Sequence, residues 1–160
     1  MSTIAKRLAE LGITLPGPFP PHDPLDAVVV HGGRVRTSGQ LPRNHDGVLV
    51  HPGLLGGDLS VEEGAEAARW CALNALSVLQ AELGDLDRIE RVLTVLGFVA
   101  CVPGFAQQPA VVDGASRLLA DVFGAAGRHS RSAIGVAALP RGGAVEIEVE
   151  VALHPGGGGS

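Results

Sequence analysis

The chain has 160 residues, of which 46% are apolar and 3% aromatic, and its formal net charge at pH 7 is −5. This length and apolar content fit one globular domain with a packed core. Surfaces that bind RNA or DNA usually combine interleaved aromatic residues with an excess of basic residues, so nucleic acid is not the expected partner.

No stretch of the sequence approaches the roughly 20 consecutive apolar residues of a membrane span. The first residues also lack the pattern of a signal peptide. Cys71 and Cys101 are the only cysteines, and they are far apart in the sequence. Two reduced thiols are typical of a cytoplasmic protein, so we expect a cytoplasmic location and no membrane partner.

The first predicted element is a short amphipathic helix over residues 3–11, in which Ile4, Leu8 and Leu11 share one face. The proline-rich stretch 16–21 cannot hold regular hydrogen bonding and predicts an extended connector. These features divide the chain into three parts: an N-terminal helix with its connector (residues 1–24), a core domain (25–154) and a flexible Gly/Ser tail (155–160).

The core domain is expected to begin with short strands. Ala27 to Val30 and Arg34 to Ser38 are rich in β-branched residues, and Gly32-Gly33 between them suits a tight hairpin. A second turn at residues 44–47 leads to a predicted brief strand at Val48 to His51.

Two long helices follow. Ser60 to Leu83 has an apolar stripe at helical spacing, and Ser60 with Glu63 forms the signature of a capping box. Gln107 to Phe123 is the second long helix, with Pro109 allowed in its first turn.

Three further strands are predicted at Arg88 to Val102, Arg131 to Ala138 and Ala144 to Leu153. This order of elements predicts an α+β fold in which two helices cover one face of a mixed sheet. The last strand alternates aliphatic residues with glutamates, so its aliphatic face should meet the helices. The other face, which carries Glu146, must meet water or another subunit.

No sequence pattern predicts a metal or a cofactor. The six histidines are scattered and lack the spacing of zinc or iron ligands. The glycine-rich segments at residues 32–33 and 53–57 lack the context of a phosphate loop or a dinucleotide fingerprint. We expect both segments to be turns.

Arg131 opens an otherwise uncharged strand, directly after a loop. A guanidinium group in this place can hold a carboxylate through two parallel hydrogen bonds. The structural alternative is an arginine at a strand end that extends into solvent or pairs with a carboxylate such as Glu146. The position of Arg131 alone favours the structural alternative, and the surrounding residues change that.

The residues around Arg131 resemble the signature of the RidA/YjgF family, which joins Arg-Ser, Leu-Pro and alternating glutamates at fixed spacing. The matching positions here are Arg131-Ser132, Leu139-Pro140 and Glu146-Ile147-Glu148. Upstream, Thr37-Ser38-Gly39-Gln40-Leu41-Pro42 is similar to the early Ser-Gly-Gln-x-Pro motif of the family. The resemblance extends from Leu25 to Leu153.

This resemblance implies a chorismate-mutase-like fold assembled as a homotrimer, with ligand clefts between subunits. The implied activity is cofactor-free hydrolysis of enamine and imine acids, such as 2-aminoacrylate and 2-iminobutanoate, to 2-keto acids and ammonia. Arg131 would hold the substrate carboxylate, and Glu146 would act on the attacking water or the protonated imine. Ser38, Gly39, Ala133 and Leu25 would complete the binding site for a small carboxylate.

The chain departs from the family pattern at two of these positions. Leu25 stands where many active members have a tyrosine, and Ala133 stands where they often have a cysteine. These departures keep open a non-catalytic trimer that senses or buffers small carboxylates. An endoribonuclease, a role attached to the family by name, is disfavoured by the acidic charge of the chain.

Overall fold

A computed structural model describes residues 1–156 as three α-helices and five β-strands. In chain order these are α1 (Thr3–Glu10), β1 (Val28–His31), β2 (Arg34–Thr37), α2 (Val61–Leu83), β3 (Ile89–Ala100), α3 (Gln108–Phe123), β4 (Ser130–Val136) and β5 (Val145–Leu153). The last four residues of the predicted Gly/Ser tail, 157–160, lie outside the described part of the chain.

The five strands form one mixed sheet in the order β1-β2-β5-β3-β4. The β3–β4 pair is parallel and all other neighbours are antiparallel. A parallel pair needs a crossover connection, and α3 supplies it between β3 and β4. β4 is therefore an edge strand, with only one strand beside it.

Both long helices pack on the same face of the sheet, as the sequence predicts. On β5 every second residue from Val145 to Leu153 is buried, and the residues between them remain partly exposed. α2 and α3 approach closely at Gly114, where an added Cβ atom would collide with the carbonyl oxygen of Ala65. The capping box at Ser60 and Glu63 forms with both of its hydrogen bonds.

The predicted strand at Val48 to His51 is wrong. Leu49 forms a single isolated bridge with Arg43, and no strand extends from it. The Pro42 carbonyl accepts from the Val50 amide, but Pro42 has no amide hydrogen to donate in return, so the ladder ends there. The Asn44 side chain also accepts from two backbone amides of this segment and fixes it as a turn.

The N-terminal helix packs against the core domain. Its Leu8 side chain is buried in the same apolar core as the long helices. The Asp87 carboxylate accepts from the amides of Thr3 and Ile4, each at 2.7 Å, and so satisfies two free amides at the start of α1. Within residues 1–156, no helix combines the length and apolar character needed to cross a membrane.

Candidate functional site

Arg131 and Glu146, the two residues predicted to act on one ligand, lie on opposite faces of the sheet. Arg131 is paired across the parallel ladder with Val95, which is fully buried on the face that the helices cover. Glu146 is paired with Phe98, three positions further along β3 and therefore on the other face. Within one chain the two side chains cannot contact the same small molecule.

Glu146 lies in a cleft of about 530 Å³ at the start of β5. Three other residues predicted for ligand binding also line this cleft, namely Leu25, Ser38 and Gly39. The remaining lining residues come mostly from the proline-rich connector and the two loops that follow β2 and β4: Phe19, Pro20, Pro21, His22, Ala27, Gln40, Leu41, Arg43, Pro140, Arg141 and Glu148. The structure therefore brings four of the six predicted site residues together.

The absence of a side chain at Gly39 makes room for the Glu146 carboxylate. An added Cβ atom on Gly39 would lie 2.5 Å from Oε1 of Glu146, far inside ordinary contact. Burial, and to a smaller extent the charge of Glu148, raise the pKa of the Glu146 carboxyl above its usual value. A carboxyl group of this kind can exchange protons closer to neutral pH than a solvated glutamate can.

The loop that carries Ser38 and Gly39 is fixed by hydrogen bonds on both sides. The Ser38 hydroxyl donates to the carbonyl oxygen of Asp26 at 2.6 Å, and the Ser38 amide donates to Ala27. Gln40 exchanges two backbone hydrogen bonds with Ile147, the residue that follows Glu146. The loop is thus held in register with β5, which keeps Gly39 against the carboxylate.

Two arginines in this cleft were missed by the sequence analysis. Arg43 and Arg141 both line it, and neither forms an ion pair within residues 1–156. The guanidinium of Arg43 lies 5.6 Å from the centre of the Phe19 ring. Burial and the charge of Arg141 lower the pKa of Arg43. The available signal was position, since each arginine directly follows the proline of a recognised motif.

Arg131 already has a carboxylate partner within its own chain. Its Nη1 atom donates to Oδ1 of Asp113 at 2.8 Å and to Oγ of Ser116 at 3.2 Å, and Nη2 donates to the carbonyl of Pro109 at 3.3 Å. The structural alternative for Arg131 was a pair with a carboxylate such as Glu146, but the pairing residue is Asp113 on α3. Arg131 keeps 21% of its side chain exposed, so a ligand can still reach it.

Ala133 follows Arg131 on the same face of β4. It is paired with Gly97 and packs against the edge of the core. It does not line the cleft that contains Glu146. The predicted site is therefore divided into two parts, with Arg131 and Ala133 on the helix-covered side of the sheet edge and the other four residues on the open side.

The second cleft, of about 330 Å³, is lined by Arg131 and by two residues to which the sequence analysis gave no role. Ser116 and His129 form a hydrogen bond of 2.9 Å between Oγ and Nε2. His129 was expected to be a scattered surface histidine, but it is partly buried beside Arg131. The available signal was its position two residues before Arg131, in the loop that leads into β4.

The open face of the sheet carries charged pairs that link β2 to β5. Arg34 binds Glu150 and Arg36 binds Glu148, each at 2.7 Å. No described element covers this face, as the alternation in β5 predicted. Residues 1–156 contain no cluster of three or more histidine, cysteine or acidic side chains that could hold a metal ion.

The sequence and the structure match known proteins over nearly the whole chain. A family model described as "YjgF/chorismate mutase-like, putative endoribonuclease" matches residues 5–146. Protein TCP17 of Trypanosoma cruzi is 46% identical over 152 residues, which covers 94% of both chains.

Two solved structures are also similar. A protein of unknown function from Agrobacterium tumefaciens is 42% identical, with a TM-score of 0.86 over 94% of this chain and 93% of its own. A protein from Shewanella oneidensis described as a putative endoribonuclease is 32% identical, with a TM-score of 0.91 over 95% of this chain and 100% of its own.

Proposed function

Because the chain belongs to the YjgF/chorismate-mutase-like family, we propose that it hydrolyses small enamine and imine acids to 2-keto acids and ammonia without a cofactor. Its substrates would include 2-aminoacrylate and 2-iminobutanoate. The observation that carries this proposal is Glu146, a half-buried carboxylate that lines a cleft and has no ion-pair partner within residues 1–156.

Glu146 has the properties that imine hydrolysis requires. A carboxylate in a partly desolvated wall stabilises a protonated imine more strongly than it would in water. The same group can accept a proton from water as the water oxygen bonds to the imine carbon. The carbon–nitrogen bond then breaks, and ammonia leaves with the protons it has gained.

Arg131 is the proposed grip for the substrate carboxylate, and its position supports a site shared between subunits. Within one chain it lies on the opposite sheet face from Glu146. A homotrimer would join Arg131 and Ala133 of one subunit with Leu25, Ser38, Gly39 and Glu146 of its neighbour. The open sheet face and the edge position of β4 are available for such an assembly.

A non-catalytic small-carboxylate binder is the second candidate. The specific observation in its favour is the pair Arg43 and Arg141, which supplies positive charge beside the cleft whether or not a reaction follows. The endoribonuclease activity in the family description is less suited to this chain. The net charge of −5 disfavours binding of a phosphate backbone.

The proposal is tested by generating 2-iminobutanoate with a threonine dehydratase and timing the release of 2-oxobutanoate. The wild-type protein should accelerate release, and Arg131→Ala and Glu146→Gln should each lower kcat/KM by about 100-fold or more. Arg69→Ala and Glu82→Gln are matched controls, because both residues are exposed on α2 outside the two clefts. Equal release with and without the wild-type protein refutes the reaction.

Two further measurements separate the candidates. Calorimetric binding of 2-oxobutanoate without catalysis would favour the non-catalytic binder, and cleavage of a single-stranded RNA would favour the nuclease. Light scattering gives the assembly state, and a monomer of 16.3 kDa would refute the shared site. A cytoplasmic location is part of the proposal, because Cys71 and Cys101 are both free thiols.

A further inference from the structure

A chain of hydrogen bonds connects Arg131 to a serine and a histidine on the helix-covered side of the sheet edge. Nη1 of Arg131 lies 3.2 Å from Oγ of Ser116, and this Oγ lies 2.9 Å from Nε2 of His129. Nδ1 of His129 lies 2.6 Å from the carbonyl oxygen of Gly127. The serine belongs to α3 and the histidine to the loop before β4.

When His129 is neutral, the chemistry of these atoms fixes the direction of each hydrogen bond. A carbonyl oxygen can only accept, so Nδ1 of His129 carries the proton and donates to Gly127. Nε2 is then the lone-pair atom and accepts from the Ser116 hydroxyl. A guanidinium can only donate, so Arg131 donates to the Ser116 oxygen. The proton of the Ser116 hydroxyl therefore points at Nε2 of His129, and the positive charge of Arg131 lies next to the serine oxygen.

This arrangement meets the geometric criteria for an activated nucleophile. The hydroxyl is within hydrogen-bond reach of a base, and a third group orients the base, here the Gly127 carbonyl. The positive charge of Arg131 favours negative charge on the serine oxygen and on any oxyanion formed next to it.

The surroundings indicate the charge of the compound that would bind. Ser116 and His129 line the second cleft together with Arg117, Arg128 and Arg131. Asp113 is the one acidic residue of this lining, and it already binds Arg131. Three guanidinium groups against one carboxylate leave the cleft positive, which favours a negatively charged ligand.

We propose that Ser116 is the nucleophile of a second hydrolytic activity, which shares Arg131 with the proposed imine site and cleaves small esters that carry a negative charge. Ser116 Oγ bonds to the ester carbonyl carbon while its proton passes to Nε2 of His129. The bond from that carbon to the alcohol oxygen breaks, and the alcohol leaves with the proton from His129. Water then attacks the acyl-serine, gives its proton to His129, and releases the acid while Ser116 recovers its hydroxyl.

The test uses the full-length protein and phenylmethylsulfonyl fluoride, which traps activated serines as sulfonyl esters. Peptide mapping by mass spectrometry should place one sulfonyl group on Ser116. His129→Gln should slow labelling by about 100-fold, because a general base contributes about that factor or more. Ser130→Ala is the matched control and should label at the wild-type rate, since Ser130 is exposed on the opposite face of β4.

Hydrolysis of mono-4-nitrophenyl succinate provides the second measurement. Wild-type protein should release nitrophenol and Ser116→Ala should not. The neutral ester 4-nitrophenyl acetate should react more slowly, and Arg128→Ala should reduce this difference. Circular dichroism verifies that each variant is folded.

The result on wild-type protein is decisive even if a variant fails to fold. An unlabelled Ser116, or a label only on other residues, overturns the proposal and leaves Ser116 and His129 as supports for Arg131. Labelling that His129→Gln does not slow also overturns it. Neither result depends on imine hydrolysis or on trimer formation, so this proposal and the proposed function can fail separately.

Discussion

Replacing Gly39 by alanine tests whether the position of the Glu146 carboxylate controls activity. The new Cβ atom would lie 2.5 Å from Oε1 and 2.8 Å from Cδ of Glu146, so the carboxylate must retreat by about 0.9 Å to reach ordinary contact at 3.4 Å. A displacement of about 1 Å at a reacting group can reduce a rate by about 100-fold. We therefore expect kcat/KM for 2-iminobutanoate to fall by about that factor.

The same substitution should change stability little, because the displaced atoms are the far end of a flexible side chain at a cleft. Urea unfolding should give a free energy of unfolding within about 1 kcal/mol of wild type. Gly135→Ala is the matched control, since its Cβ would also meet flexible side-chain atoms, of Gln108 and Cys101, but outside the Glu146 cleft. An unchanged rate for Gly39→Ala, or an equal loss in the control, would show that the position of the Glu146 carboxylate does not control activity.

Three further predictions follow from other contacts. Asp113→Asn should tighten 2-oxobutanoate binding about 2- to 5-fold by calorimetry, because it removes the carboxylate charge that competes for Arg131; weaker binding would contradict this. Gly114→Ala should lower the free energy of unfolding in urea by about 3 kcal/mol, since its Cβ meets backbone atoms of Ala65 that cannot rotate away, and an unchanged midpoint would count against the packing. Glu146→Gln should raise Tm relative to wild type more near pH 7 than near pH 4. The pKa of Glu146 is higher in the folded protein than in the unfolded chain, so its ionised form destabilises the folded state. This destabilisation appears as the pH rises through the pKa of the unfolded chain. A Tm difference that does not change with pH would contradict the burial of Glu146.

The elements of the fold could be predicted because each has a local cause. The capping box at Ser60 and Glu63 starts α2 where the sequence indicated, and the alternation in β5 assigned its buried face correctly. The predicted α+β fold with two helices on one sheet face is confirmed, as is the RidA/YjgF family. The predicted short strand at Val48 to His51 was wrong because its pairing depended on a partner segment that begins with Pro42.

The candidate site was only partly predictable. Residue type and spacing do not show whether side chains on strands that are distant in sequence lie on the same face of the sheet. Leu25, Ser38, Gly39 and Glu146 line one cleft. The partners of Arg131 are on α3 and in the preceding loop, where no motif pointed to them. Arg43 and Arg141 lie more than 90 residues apart in the chain and meet only because their loops close the same cleft.

Periodicity and motif spacing are local properties, so the sequence alone was enough to predict most of the elements and the family, and to point to Arg131 and Glu146 as candidate site residues. The side of the sheet on which each of these two residues lies depends on the tertiary structure. The parallel pairing of β4 with β3 turns Arg131 towards α3, and the antiparallel pairing of β5 with β3 turns Glu146 to the open face. Strand register sets the side of every side chain, and it depends on how the whole sheet assembles.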